Sequence, residues 1–133
     1  MKRKILISIT TVLYLSILIA CQSSQNAKPN DIGNQIERNL VSIMDNNSVL
    51  ASSNPATFIQ DNQNLYDEIL ASGDKGLKFL LNELKNSKED GLKEWIMAKA
   101  CEDILKDESQ IEGWSTGKEW FSKYESQDEG EEH

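Results

Sequence analysis

Histidine is all but missing from this 133-residue chain: its one imidazole, His133, is the last residue. Ser-His and Cys-His nucleophiles therefore have no base within the folded part. Zinc sites built from His and Cys fail on the same inventory. Cysteine is nearly as scarce, with only Cys21 and Cys101. Apolar and polar residues nowhere alternate at the two-residue period of a half-buried strand. Cations are outnumbered as well: 14 Lys and Arg stand against 22 Asp and Glu, a formal net charge of −8. A field of that sign disfavours nucleic acid as a partner.

What is present begins at the N-terminus. Lys2, Arg3 and Lys4 precede an unbroken run of apolar and small residues from Ile5 to Ala20, and Leu18-Ile19-Ala20-Cys21 closes it. A basic head, an apolar middle and a small residue before the cut form the pattern of a secretory signal. With a cysteine next, residues 1–21 resemble the lipobox of bacterial lipoprotein signals. The resemblance implies that residues 1–20 are removed and that the Cys21 thiol is diacylated, placing the protein at the cell membrane on its extracytoplasmic face. An uncleaved membrane helix and an ordinary secretory signal are the competing readings; both also export the domain, because the N-terminal cations stay inside. Without residues 1–20 the chain has 11 cations against 22 anions, a net of −11. Anionic headgroups would repel such a domain, and a basic protein or peptide would be attracted. Acidity that serves solubility alone is the plainer explanation.

Gln22 to Asn30 has no apolar period and reads, with Cys21, as a flexible tether over residues 21–30. Nine coil residues reach about 16 Å on average. The folded domain is expected over 31–125, followed by an acidic disordered tail at 126–133. One modest core fits that length.

Within the domain the apolar period is helical, and the class is all-α. Ile32, Ile36, Leu40 and Ile43 form one stripe, which predicts a helix over about 32–45. Asn54-Pro55 is a cap followed by proline at the first helical position, opening a short helix with Phe58 and Ile59. Leu65, Tyr66, Ile69 and Leu70 lie on a third helix that stops at Gly73, a left-handed cap. Asp74 can cap a fourth, with Leu77, Leu80, Leu81 and Leu84 inward. Ser87-Lys-Glu-Asp90 resembles a capping box ahead of a fifth and longest helix carrying Leu92, Ile96, Ala100 and Ile104. Cys101 lies on that helix's apolar face and reads as a buried small hydrophobe. Thr116-Gly-Lys-Glu119 is a second capping box, opening a helix with Trp120, Phe121 and Tyr124.

A weak repeat runs through these helices. Tyr66-Asp-Glu-Ile-Leu70 is echoed by Cys101-Glu-Asp-Ile-Leu105, and Gly76-Leu-Lys-Phe-Leu80 by Gly117-Lys-Glu-Trp-Phe121. Two-helix repeats near 40 residues resemble short HEAT and armadillo arrays, with the 32–45 helix covering one end. A small helical bundle is the alternative. The segment from Asn54-Pro55 through Gly73 to Gly91-Leu-Lys-Glu-Trp95-Ile-Met-Ala98 is similar to a family of small domains of uncharacterised function in secreted and lipid-anchored proteins of Gram-positive bacteria. Trp95 stands where that family has Tyr. This resemblance implies a surface lipoprotein with HEAT-like helices and brings no catalytic residue.

Gly113-Trp-Ser-Thr-Gly117-Lys118-Glu119 superficially looks like a phosphate loop. That motif needs Gly at position 112 and Ser or Thr at 119, and both positions are Glu. Carboxylates are the one catalytic resource in quantity. A Glu and Asp pair could serve a small cell-wall glycosidase, but Glu68, Glu83, Glu94 and Glu102 all fall where a solvated helix face is expected. The acidic end from Glu125 lacks the spacing of a calcium loop. No cofactor and no metal are implied. Tryptophan is enriched at binding hot spots; Trp95 and Trp120 lie beside core positions, and Trp114 is the best exposed anchor unless it folds back over the core. The expectation is a lipid-anchored, non-catalytic protein- or peptide-binding module using Trp114 and Trp95. An immunity or sequestering lipoprotein against cationic peptides is the first alternative and the glycosidase the second.

Overall fold

The computed structural model describes residues 29–46, 51–108 and 111–130. Cys21, the signal at 1–20, the tether up to residue 28 and the end at 131–133 lie outside them. Among the described residues six α-helices follow one another: α1 Pro29–Met44, α2 Pro55–Gln60, α3 Gln63–Ala71, α4 Gly73–Asn86, α5 Leu92–Leu105 and α6 Gly117–Asp128, with one 3-10 turn at Lys106–Glu108. No strand occurs among the described residues, and the protein is all-α. No helix among them is long and apolar enough to cross a membrane.

Caps explain several boundaries. The Asn54 Oδ1 atom accepts the Ala56 amide at 3.1 Å, and Pro55 occupies the first helical position of α2, where no backbone N–H is needed. Gly73, with φ of 56°, takes the left-handed conformation that ends α3. It turns the chain so sharply that α4 begins at once. Asp74 therefore sits inside the first turn of α4 as a charge, not as the expected cap. The first helix starts at Pro29, inside the expected tether, because proline and the acidic Asp31 both suit a first turn. At 16 residues it, not α5, is the longest described helix. At the far end α6 continues to Asp128, past the expected boundary at 125; no Gly or Pro interrupts it before Gly130.

The stripe read from the first helix faces inward: Ile36, Leu40 and Ile43 are buried. Leu80 and Leu84 of α4 are fully covered, and Leu77 and Leu81 partly. α5 lies at the centre, packed on all the other helices, chiefly α4 and α6. Ile96, Met97, Ala98, Ala100 and Cys101 are buried around more than one side of it. Cys101 is wholly inside, and loss of water pushes its thiol pKa far up. Trp120 is completely covered and stacks on Tyr124, with ring centroids 5.3 Å apart.

The α4–α5 corner is tied by α6. The Lys118 ammonium donates to the Leu84 carbonyl at 2.9 Å and to the Ser87 carbonyl. These oxygens at the end of α4 have no partner further along that helix. The Lys118 amide donates to Asp90 Oδ1 at 3.0 Å. Beside it, Gly117 lies so close to α5 that a Cβ would fall 2.2 Å from the Glu94 carbonyl oxygen. The sequence that looks like a phosphate loop is thus a helix–helix clasp.

Gly117→Ala should cost about 2–4 kcal/mol, because backbone on both sides must move. Lys118→Met should cost about 1–2 kcal/mol by removing a charged donor from two carbonyls. Urea unfolding followed by far-UV circular dichroism measures both; a Gly117→Ala chain as stable as the wild type would contradict the contact.

Candidate functional site

Where α2 meets the N-terminal end of α5, an open groove of about 320 Å³ is left. Pro55 and Phe58 of α2 form one wall, Leu92 and Trp95 of α5 the other, and Ser115, Thr116 and Asp90 edge it. Proline at the start of α2 directs its ring here while Phe58 also plugs the core. Ligand clefts of this size, mainly apolar with a few polar groups, are common binding sites.

Trp95 and Trp114 meet beside this groove, with ring centroids 5.5 Å apart and planes tilted by 42°. Both are half-buried. Trp114 is folded back, its indole N–H donating to Glu102 at 3.2 Å, so it is an exposed anchor only along one side. The folding-back stems from Gly113, whose φ of 69° bends the loop ahead of it. Lys123 fastens the same loop by donating to the carbonyls of Glu112 and Gly113 at 3.0 and 2.8 Å. Trp120 takes no part in this surface.

A polar chain runs from the Trp pair along α5. Glu102 accepts from Lys99 at 3.0 Å as well as from Trp114; Lys99 also donates to Asp103 at 2.7 Å, and Tyr66 of α3 donates its hydroxyl to Asp103 at 2.8 Å. Burial, followed by the Asp103 hydrogen bond and charge, pushes the Tyr66 hydroxyl pKa far up, so it remains a neutral donor. Burial would lower the Lys99 pKa, but its two carboxylate partners outweigh that and raise it. The chain has the character of a brace, with every polar group occupied by a neighbour.

The carboxylates considered for catalysis do not share one environment. Glu68 is exposed, Glu83 and Glu102 are half-buried, and Glu94 is buried, only 3 % exposed. That corrects the solvated position expected for Glu94. It is drawn inward because it closes the start of α5: its Oε2 accepts the Gly91 amide at 2.9 Å and its Oε1 the Ser87 hydroxyl at 2.6 Å. The expected Ser87–Asp90 box is displaced accordingly; Ser87 ends α4, and Gly91 with Glu94 caps α5. Burial alone would raise the Glu94 pKa. The Ser87 hydroxyl, the Gly91 amide, its own amide and the Lys93 charge outweigh it and hold the carboxyl below its usual 4.5. A glycosidase acid needs the opposite shift. At α6, Thr116 accepts the Glu119 amide at 3.2 Å as the box predicts, while Glu119 reaches the Ser115 amide, one residue earlier, at 2.8 Å.

Among the described residues no group of three or more His, Cys, Asp and Glu side chains is placed to hold a metal ion. Trp95 and Trp114 stand out in the sequence, but their contact does not. Pro55, Phe58 and Leu92 do not stand out as groove walls, since apolar residues on helical stripes signal core and groove alike. No family model, no curated protein and no solved structure matches the chain.

Because the Glu94 pKa is depressed on folding, its stabilising contribution is complete above the unfolded value near 4.5 and is lost as pH falls through the lower folded value. Glu94→Gln should therefore be less stable than the wild type at pH 7, with the difference shrinking below about pH 4.5. Denaturant midpoints of the two chains across pH 3–7 measure this; a difference constant with pH would refute it.

Proposed function

We propose that the chain is a lipid-anchored, extracytoplasmic module that works by binding another protein or peptide, and that it has no catalytic turnover. The groove beside Trp95 carries this reading: it is open, its walls are apolar and its edge is polar, whereas Glu94 and Asp103 nearby are engaged as cap and brace. Apart from Val41 at 43 % exposure, no large hydrophobic side chain is fully exposed among the described residues. A partner would therefore find its apolar foothold in the groove and along the Trp95–Trp114 edge. The Leu18-Ile19-Ala20-Cys21 tetrad supports anchorage through Cys21, and a net of −11 beyond residue 20 favours a basic partner.

The helices follow the order of a short HEAT-like array. On this reading α3 and α4 form one unit, α5 and α6 a second, and α1 covers an end. Three matching pairs of the repeat are buried alike, Tyr66 with Cys101, Gly76 with Gly117 and Leu80 with Phe121, while Ile69 and Ile104, like Phe79 and Trp120, differ. Sequestration of cationic peptides is the form of binding that the charge favours most.

Cys21→Ser should abolish incorporation of labelled palmitate and release the chain from the membrane fraction. A photocrosslinker at Trp95 or Trp114 should capture one partner in cells, and the capture should disappear when the groove is filled by Ser115→Trp. Wild-type protein that takes up no fatty acid and is recovered full-length in the cytosol would overturn the proposal.

A further inference from the structure

Asp90 gives the groove a chemical preference. It stands at the groove's edge, exposed, and no residue lining the groove carries a positive charge. Among the described residues it accepts one hydrogen bond, from the Lys118 backbone amide at 3.0 Å. The Lys118 ammonium does not neutralise it, being directed to the Leu84 and Ser87 carbonyls of α4. Of the cations nearest in the chain, Lys93 is taken by Glu37 of α1 at 2.6 Å, and Lys88, exposed on the connection to α5, makes no salt bridge among the described residues. Among the described residues Asp90 has no salt bridge. The groove therefore sets one carboxylate without an ion pair beside apolar walls of Phe58, Leu92 and Trp95.

Two of the four edging hydroxyls are engaged within the fold, while those of Ser53 and Ser115 face solvent. Ser52 bonds Thr57 and accepts the Asn54 amide, and Thr116 accepts the Glu119 amide. A ligand that brings one apolar group and one cation matches the two features set side by side here, the apolar walls and the Asp90 charge. We infer that the groove holds a peptide segment in which a bulky aliphatic side chain is followed by arginine or lysine, the aliphatic group against Leu92 and Trp95 and the cation at Asp90. This rests on the binding role proposed above and names its chemistry. Apolar contact supplies the foothold, and an exposed charge at the edge supplies preference between ligands.

The test uses the full chain in nanodiscs of neutral phosphatidylcholine, titrated at low salt with four blocked peptides that differ in two central residues: Leu-Arg, Leu-Gln, Leu-Glu and Ala-Arg. Leu92 methyl resonances report occupancy. Leu-Arg should bind about three- to fivefold more tightly than Leu-Gln, a margin that falls with added salt. Leu-Glu and Ala-Arg should be weaker still. Asp90→Asn keeps an acceptor for the Lys118 amide and removes only the charge, so it should equalise Leu-Arg and Leu-Gln. Equal affinities in the wild type, a preference that survives Asp90→Asn, or Leu92 shifts with chitotetraose and none with peptide would each overturn the inference. Peptide binding that leaves Leu92 unmoved defeats the groove and leaves a binding role elsewhere on the domain standing. Groove occupancy without any crosslinked partner in cells defeats the cellular role and leaves the groove chemistry intact.

Discussion

An α-helix that ends inside a small domain leaves carbonyl oxygens in need of donors, and here α4 obtains them from another helix. The Lys118 ammonium reaches the carbonyls of Leu84 and Ser87, and its neighbour Gly117 lets α6 approach within backbone contact of Glu94. Neither half works alone: a side chain at 117 would hold α6 away, and an uncharged residue at 118 would leave the end of α4 unsatisfied. From this junction follow the angle of α6, the cover it gives to α5 and the place of the loop that carries Trp114.

The same junction shapes the surface that a partner would meet. Glu94 closes the start of α5, Asp90 receives the Lys118 amide, and the groove opens between Asp90, the first turn of α5 and α2. A lysine turned inward thus leaves an aspartate at the edge with its amide but without its ammonium. Farther along α5, the chain from Trp114 through Glu102, Lys99 and Asp103 to Tyr66 fixes the other flank of the Trp pair. Rigid support on both sides keeps the Trp95 edge formed before any ligand arrives, which lowers the entropy that association must overcome.

The class and most of the helices were legible because apolar spacing and caps are local signals. Ile36, Leu40 and Ile43, the Asn54-Pro55 cap and the Gly73 turn all declare themselves within a few residues. What sequence missed depends on distant partners. Glu94 looks like any surface acid until Ser87 and Gly91 are brought to it, and Lys118 has no evident role until α4 is placed beneath its ammonium. The groove was illegible for another reason. Phe58 and Leu92 obey the helical period whether the space beside them is filled or empty. Boundaries failed where two rules competed, as at Pro29, which can end a linker or open a helix.

The clasp also dictates an order of events during synthesis. Its two hydrogen bonds join residues 31 and 34 positions apart, and the donor lies in the last helix. Until that helix has emerged and docked, α5 lacks one of its covering layers and the last turn of α4 must satisfy itself with water. A nascent chain lacking its final segment is therefore an incomplete core, open on the side where Trp120 will lie.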